Sequence, residues 1–271
     1  MQVAVQSDAK SAVELVAQII AAALRDRPRL VLGLATGSTM EAVYARLSAL
    51  HREEALDFSA CRTFNLDEYV GLPAGDPNSY RFYMNQRLFS QVNIPLENTH
   101  LPDGTAPDLE AECRKYEASI DSAGGIDLQL LGIGRSGHIG FNEPPSAFQS
   151  RTRVERLTSA TLEQNSPHFQ VPSQMPRQAI TMGVGTILDS RRCLLLATGQ
   201  DKAEILARAV EGPLTAMVPA SALQMHACCT VVTDEAAASR LKGKKDYQQS
   251  FQNDPQWQRF LHPAALPVPH R

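Results

Sequence analysis

Residues 30–39 read LVLGLATGST, and this stretch decides the fold. Its first five residues form an apolar run that is typical of a buried strand, and the glycine and hydroxyl residues that follow predict a tight turn. Apolar residues then recur at helical spacing, at Met40, Val43, Tyr44, Leu47 and Leu50. A strand, a glycine turn and a helix in this order open a βαβ unit.

The same alternation continues on both sides of this stretch. Apolar spacing predicts helices over residues 9–24, 80–89, 109–120 and 201–210. Apolar runs predict strands over residues 61–66, 126–131, 193–197 and 230–232, with a final helix after the last strand. We therefore expect an α/β fold with a mostly parallel sheet that helices cover on both faces. Ligands in such folds bind beyond the carboxyl ends of the strands.

The composition changes only near Gly243, beyond which several glutamines, prolines and the only tryptophan occur. We therefore expect a single α/β domain over residues 1–243 and a C-terminal extension over residues 244–271. Trp257, Phe260 and Leu261 favour docking of this extension on the body or on a neighbouring subunit. An unattached tail is the alternative.

Charge and cysteine usage exclude several classes of protein. The net charge of −3 argues against a nucleic-acid partner, because such proteins usually carry a basic face. No apolar run is long enough to cross a bilayer, and the N-terminus does not read as a signal peptide. The five cysteines are scattered without a C-x-x-C pair, which favours neither disulfides nor a metal site. A cytoplasmic protein without a membrane partner is expected.

Two loops between a strand and a helix are candidates for binding a phosphate. Thr36, Gly37, Ser38 and Thr39 let backbone N–H groups approach an anion at a helix N-terminus. A second loop, residues 198–202, has the same character and adds the cation Lys202. The alternative for the first loop is a tight turn in which Ser38 or Thr39 is the N-cap.

Residues 132–137 match the G-x-G-x-x-G fingerprint of dinucleotide sites. Such a site needs the loop to open a helix, and Pro144-Pro145 prevents a long helix here. The same segment contains His138 and Glu143 close to the end of a buried strand. A histidine with a nearby carboxylate is suited to proton transfer near neutral pH.

Asp67 and Glu68 follow another apolar strand and are candidates for a general base. Adjacent residues of an extended chain point in different directions, so at most one of the two faces a substrate. Periodicity does not choose between them. Solvated loop charges are the alternative for both.

Taken together, these segments resemble the glucosamine-6-phosphate deaminase (isomerase) family. The matching stretches are residues 34–39, 64–72, 132–134, 137–144, 150–153 and 219–226. The resemblance implies a Rossmann-like sheet, no organic cofactor, and conversion of glucosamine 6-phosphate and water to fructose 6-phosphate and ammonia. Many members form homo-oligomers, so a homo-oligomer is expected.

The resemblance also implies a role for each candidate residue. Asp67 would move a proton between C2 and C1 of the sugar. His138 would act on the ring oxygen, and Glu143 would orient and charge it. Many members have aspartate at the position of Ser136, and a serine there leaves His138 dependent mainly on Glu143. The phosphate would be held by Thr36, Gly37, Ser38, Thr39 and Lys202.

Two further positions depart from the family pattern. Residues 165–169 contain Pro167 and His168 where members have an arginine that holds the phosphate. His168 is a candidate replacement for that arginine. Glu155 stands where members activated by N-acetylglucosamine 6-phosphate have a lysine near Arg153, which predicts a weakened allosteric anion site.

Three other functions remain open at this point. Galactosamine 6-phosphate differs from the glucosamine compound at one hydroxyl, which no motif reads directly. A 6-phosphogluconolactonase shares the fold and the phosphate loop but needs no C2 base. A non-catalytic sugar-phosphate sensor would keep the pocket without the chemistry.

Overall fold

A computed structural model describes residues 1–169 and 171–261. The strands in this part of the chain are β1 Gln2–Gln6, β2 Val31–Leu34, β3 Arg62–Asn65, β4 Asp67–Tyr69, β5 Thr99–His100, β6 Leu128–Leu131, β7 Arg153–Arg156, β8 Gln178–Thr181, β9 Cys193–Ala197 and β10 Cys229–Asp234. The α-helices are α1 Ala9–Asp26, α2 Ser38–Glu54, α3 Tyr80–Arg87, α4 Leu109–Ser122, α5 Ser159–Asn165, α6 Val184–Leu188, α7 Ala203–Glu211, α8 Lys244–Asn253 and α9 Pro255–Leu261.

The main sheet is parallel and has the strand order β1-β10-β9-β6-β2-β3-β5 in the described residues. Helices flank it, so the predicted α/β, Rossmann-like class is confirmed. From β2 the chain moves outward to β3 and β5, and it then returns to place β6 on the other side of β2. A crevice is expected where the strand order reverses, between β2 and β6.

Burial along the strands explains why the sheet needs helices on both faces. Leu194, Leu195 and Leu196 are consecutive residues of β9, and each is 1% exposed. Because neighbouring strand residues point to opposite faces, a run of this kind can be buried only if both faces are covered. The polar residue Gln129 enters the core beside β2 because Gly33 leaves room for it: a Cβ at Gly33 would lie 2.0 Å from Gln129 Oε1.

Side-chain caps define where several helices begin. Asp8 accepts a hydrogen bond from Ser11 N at the start of α1, and Asp108 does the same for Ala111 N at the start of α4. Such caps satisfy backbone N–H groups that have no partner inside the helix.

Among the described residues, no helix is long and apolar enough to span a membrane.

A second, antiparallel sheet with the order β4-β8-β7 was not predicted from the sequence. The predicted strand over residues 61–66 ends at Asn65, and the chain then leaves the main sheet to pair Asp67 with Thr181 of β8. The short strands of this sheet pair with distant parts of the chain, which local apolar patterns do not reveal. Strands β1 and β5 of the main sheet were also missed.

The described part of the C-terminal extension packs against the body. Phe251 of α8 and Trp257 of α9 are buried in the main hydrophobic core, with ring centroids 5.3 Å apart. Phe260 lies 5.9 Å from the Trp257 ring. The side chain of Leu261 and residues 262–271 lie outside the described residues. The division of the chain at Gly243 stays a prediction.

Truncating Trp257 tests whether the extension contributes to stability. We expect Trp257→Ala to lower the free energy of unfolding by about 3–5 kcal/mol, because it removes a buried aromatic side chain and leaves a cavity. Urea unfolding measures this, with the exposed Gln249→Ala in the same extension as the control. Equal stability of both variants and the parent would contradict a docked extension.

Candidate active site

One cavity opens at the carboxyl edge of the main sheet, beside the point where the strand order reverses. Its walls come from the segments that follow β2, β3, β6 and β9, together with α3 and α5. The residues that line it are Ala35, Thr36, Gly37, Ser38, Thr39, Met40, Leu66, Asp67, Tyr80, Gly132, Ile133, Gly134, His138, Gly140, Phe141, Gln164, Asn165 and Lys202. The position agrees with the general rule for open parallel sheets.

The loop after β2 presents the N-terminus of α2 to the cavity. Gly37 is the N-cap, with a φ of 115° that favours glycine, and α2 begins at Ser38. The alternative in which Ser38 or Thr39 is the N-cap is therefore wrong. Gly37 has no side chain to occupy the first N–H groups of the helix. Tyr83 Oη donates a hydrogen bond to Gly37 O at 2.9 Å and supports this loop from outside.

Lys202 reaches the cavity from the loop after β9. Burial lowers the pKa of Lys202, and the positive charge of Arg135 lowers it further. The carboxylate of Asp201, 3.8 Å away, raises the pKa but does not outweigh burial. Gly199 has a φ of 92° and donates its N–H to the Asp234 carboxylate at 3.1 Å, which anchors the turn. Two cations near one wall favour an anionic ligand.

The contacts of Glu68 assign it a structural role. Its carboxylate accepts hydrogen bonds from Tyr69 N at 2.8 Å, Tyr80 N at 2.9 Å and Arg81 N at 2.9 Å. Two of these N–H groups belong to the first turn of α3, so Glu68 holds the start of that helix. Asp67, by contrast, lines the cavity. The structure therefore separates two residues that periodicity left equal.

Asp67 is buried at the bottom of the cavity and is 5% exposed. Its Oδ1 atom is without a hydrogen-bond partner among the described residues. Burial raises the pKa of Asp67 to about 8, and repulsion from Glu68 acts in the same direction. A carboxyl group with a pKa near neutrality both accepts and returns a proton readily.

His138, Ser136 and Glu143 form a connected group. His138 Nδ1 lies 2.9 Å from Ser136 Oγ and 3.4 Å from Glu143 Oε2. Ser136 Oγ lies 3.5 Å from the same Glu143 oxygen. We expected His138 to depend mainly on Glu143, but the serine hydroxyl is the nearer of the two. Gly134 leaves room for the imidazole, since a Cβ there would lie 1.9 Å from Nε2.

The predicted site residues occupy two layers. The residues that line the cavity are Thr36, Gly37, Ser38, Thr39, Asp67, His138 and Lys202. Ser136 and Glu143 are absent from the described lining and contact His138 from behind.

The loop with the dinucleotide fingerprint leads from β6 to β7 rather than into a helix, which agrees with rejection of a nucleotide site. Among the described residues, no cluster of His, Cys, Asp or Glu side chains is suited to hold a metal ion.

Helix α5 contributes residues that the sequence did not single out. Gln164 and Asn165 line the cavity, and Asn165 Nδ2 donates to Tyr69 Oη at 3.1 Å. Thr161 Oγ1 donates a hydrogen bond to Glu143 Oε1. The polar spacing of a seven-residue helix carries too little signal to reveal these roles.

The two other departures can be placed in the structure. Pro167 lies in a single 3₁₀ turn, Ser166–His168, directly after α5. The side chain of His168 lies outside the described residues, so its replacement of the arginine stays a prediction. Glu155 Oε2 lies 2.6 Å from Arg153 Nη2, and Arg153 Nη1 donates to Asn142 Oδ1 at 2.9 Å.

Comparison with known proteins agrees with this geometry. A family model described as glucosamine-6-phosphate isomerases/6-phosphogluconolactonase matches residues 5–232. The glucosamine-6-phosphate deaminase of Shewanella loihica is 51% identical over 248 residues, which cover 92% of each chain. A solved structure described as a monomeric glucosamine-6-phosphate deaminase matches with a TM-score of 0.87 and 47% identity, and covers 89% of this chain and 100% of that chain.

A more distant structure shares the fold. The 6-phosphogluconolactonase of Trypanosoma cruzi is 22% identical, with a TM-score of 0.70, and covers 89% of this chain and 97% of that chain. The resemblance found in the sequence is thus confirmed along nearly the whole length of the domain. The chain belongs to the family of glucosamine-6-phosphate isomerases and 6-phosphogluconolactonases.

Proposed function

We propose that this protein is a glucosamine-6-phosphate deaminase, which converts glucosamine 6-phosphate and water to fructose 6-phosphate and ammonia. The observation that carries the proposal is the buried carboxyl of Asp67, which shares one cavity with His138 and Lys202. A base, an acid and a cation at one cavity are the groups that this reaction requires. The identity to deaminases supports the same activity.

The phosphate of the substrate binds at the N-terminus of α2 and at Lys202. The N–H groups of Ser38 and Thr39 donate to its oxygens, and the ammonium supplies the opposing charge. This placement directs the sugar ring toward the deeper part of the cavity, where Asp67 and His138 lie.

Protonated His138 opens the sugar ring by donating a proton to the ring oxygen as the bond to C1 breaks, and the C1 hydroxyl loses its proton to water. Ser136 and Glu143 stabilise the protonated imidazole that donates this proton. The product of this step is an open-chain amino aldehyde, which exposes C2 to a base.

Asp67 then takes the proton from C2 while the aldehyde oxygen gains a proton from water, which gives an enolamine. Asp67 returns its proton to C1, and the nitrogen loses a proton to water, which leaves a hydroxyl at C1 and an imine at C2. Water adds to this imine, ammonia leaves, and fructose 6-phosphate remains. The isomerisation and the hydrolysis need no oxidant and no organic cofactor. We therefore still predict that the protein has no cofactor. The raised pKa of Asp67, about 8, suits a group that must bind and release the same proton.

The other candidate functions are weighed against the same residues. Hydrolysis of a lactone needs no base at C2, so it gives no reason to bury a carboxyl group at Asp67 whose Oδ1 atom has no hydrogen-bond partner in the described part of the chain. A sensor would need no buried carboxylate, such as Glu143, in contact with His138 at the cavity wall. The geometry does not separate glucosamine from galactosamine substrates.

Cytoplasmic location and a homo-oligomeric state remain predictions. One solved relative is described as monomeric. The weakened allosteric anion site also remains a prediction, supported by the ion pair between Glu155 and Arg153, which places a carboxylate beside that arginine.

Assays with three substrates test the proposed function directly. We expect ammonia release from glucosamine 6-phosphate and no acceleration of 6-phosphogluconolactone hydrolysis, and the rate of ammonia release from galactosamine 6-phosphate decides between the two amino sugars. Enzymatic ammonia detection and lactone hydrolysis at constant pH measure these rates. Lactone hydrolysis without ammonia release would replace the deaminase by a lactonase, and no turnover of any substrate would favour the sensor.

Substituting the base should stop turnover while binding survives. We expect Asp67→Asn to lower kcat by about 10²-fold or more, the usual contribution of a positioned general base. Binding of fructose 6-phosphate, measured by calorimetry, should change little. Glu68→Gln is the matched control. It should lower the free energy of unfolding, because Glu68 holds the start of α3, and it should leave kcat nearly unchanged. Near-normal turnover of Asp67→Asn would exclude Asp67 as the base.

The pH profile gives a second readout of the same residue. Because the pKa of Asp67 is raised to about 8, its basic form is lost as the pH falls below that value. We expect kcat/KM of the wild type to rise through about pH 8, once the titration of the substrate amine is subtracted. A profile that is flat between pH 7 and 9 would contradict this.

Removing the cation should weaken binding of every phosphate ligand. We expect Lys202→Ala to raise KM for glucosamine 6-phosphate by about 10-fold or more, since a hydrogen bond to a charged group contributes about 1.5–3 kcal/mol. Unphosphorylated glucosamine should be a very poor substrate for both enzymes. Exposed Lys245→Ala is the control. Equal turnover of glucosamine with and without its phosphate would refute the phosphate site.

A further inference from the structure

The two oxygens of the Glu143 carboxylate have different partners. Oε2 faces His138 Nδ1 at 3.4 Å and Ser136 Oγ at 3.5 Å. Oε1 accepts the hydrogen bond from Thr161 Oγ1. Glu143 and Thr161 are both buried, at 4% and 3% exposure. The side chain that holds His138 is therefore itself held from the opposite side.

Thr161 belongs to the same helix that closes one wall of the cavity. Gln164 and Asn165 follow it by three and four residues, so the three side chains share one face of α5. Gln164 and Asn165 line the cavity, and Thr161 contacts Glu143. Thr158 is the N-cap of α5 and accepts a hydrogen bond from Thr161 N at 3.3 Å, which fixes the start of the helix.

We propose that Thr161 is a positioning residue: its hydroxyl orients the Glu143 carboxylate toward His138 and makes this acid–base pair depend on α5 lying against the cavity. The proposal rests on the proposed function and adds a residue outside the family motifs found in the sequence. A carboxylate bound at one oxygen only would be held less firmly in its orientation. Bound at both oxygens, it keeps Oε2 directed at the imidazole.

The charge of Glu143 depends on the same contact. Burial alone would raise the pKa of Glu143, but hydrogen bonds from His138, Thr161 and Thr158, together with the charge of His138, outweigh burial and hold the pKa below its usual value. Removing the Thr161 hydroxyl removes one of these contributions, so the pKa of Glu143 must rise. The ionised form of Glu143, which supports the charge on His138, is then lost at a higher pH.

Thr161→Val and Thr161→Ser separate positioning from packing. Valine keeps the volume and loses the hydroxyl, whereas serine keeps the hydroxyl. We expect Thr161→Val to lower kcat by about 10- to 100-fold, the effect of losing one hydrogen bond to a charged group. We expect little change in KM. Thr161→Ser should stay within about threefold of the wild type in kcat.

Thr186→Val is the matched control. Thr186 is also 3% exposed and donates to a carboxylate, Glu117 Oε1, at 2.6 Å, away from the cavity. We expect this variant to lose stability like Thr161→Val but to keep the kcat and the Glu143 pKa of the wild type. Thr161→Ala, measured in the same way, replaces Thr161→Val should the latter not fold.

Carbon NMR of protein labelled at the glutamate carboxyls gives a readout that needs no turnover. Glu143→Gln assigns the signal, and Thr161→Val should raise the apparent pKa of Glu143. This distinguishes the two proposals: absence of ammonia release from the wild type defeats the proposed function, whereas an unchanged Glu143 pKa defeats the role of Thr161. An unchanged kcat in Thr161→Val, or the same shift of the Glu143 pKa in Thr186→Val, would also overturn it.

Discussion

Leu66 links the two sheets between β3 and β4, and the position of the candidate active site depends on this junction. Its N–H donates to Leu34 O at 3.0 Å beside the main sheet, and its carbonyl accepts from Met182 N at 2.7 Å beside the second sheet. The residue after it, Asp67, therefore cannot continue along the main sheet and is held against Thr181 of β8. The parallel strands bring the loops that contain Gly37, His138 and Lys202 to one edge, and the junction adds the carboxyl group to the same edge.

The environments of Asp67 and Glu143 push their pKa values in opposite directions. Asp67 is buried with an unpartnered oxygen beside Glu68, and its pKa rises to about 8. Glu143 is buried too, but His138 and Thr161 contact it and its pKa falls below the usual value. When two carboxyl groups in one site have pKa values that differ in this way, the one with the raised pKa is suited to acid–base chemistry. The one with the lowered pKa stays charged and is suited to a supporting role. Two carboxyls in one site can thus perform different tasks at the same pH.

The sequence predicted most of the main sheet and nearly all of the cavity loops, because strands such as β9 and turns such as Gly37 have strong local patterns. It could not choose between Asp67 and Glu68, since the choice depends on hydrogen bonds from α3 that no local pattern contains. The second sheet and the role of Thr161 were not predicted from the sequence, for a related reason. Their partners are distant in the chain, and short segments have little periodicity of their own.

The serine at position 136 fits the electrostatics of its neighbours. In many members of the family an aspartate occupies this position, and two carboxylates within reach of one another disfavour each other's charge. Ser136 Oγ lies 3.5 Å from Glu143 Oε2, so a second carboxylate here would oppose ionisation of Glu143. With a neutral hydroxyl in its place, Glu143 keeps its charge despite burial and supports His138 through one direct contact and one through Ser136. We therefore expect the loss of a formal charge at position 136 to be offset by a more readily ionised Glu143, so that the group keeps its predicted supporting role.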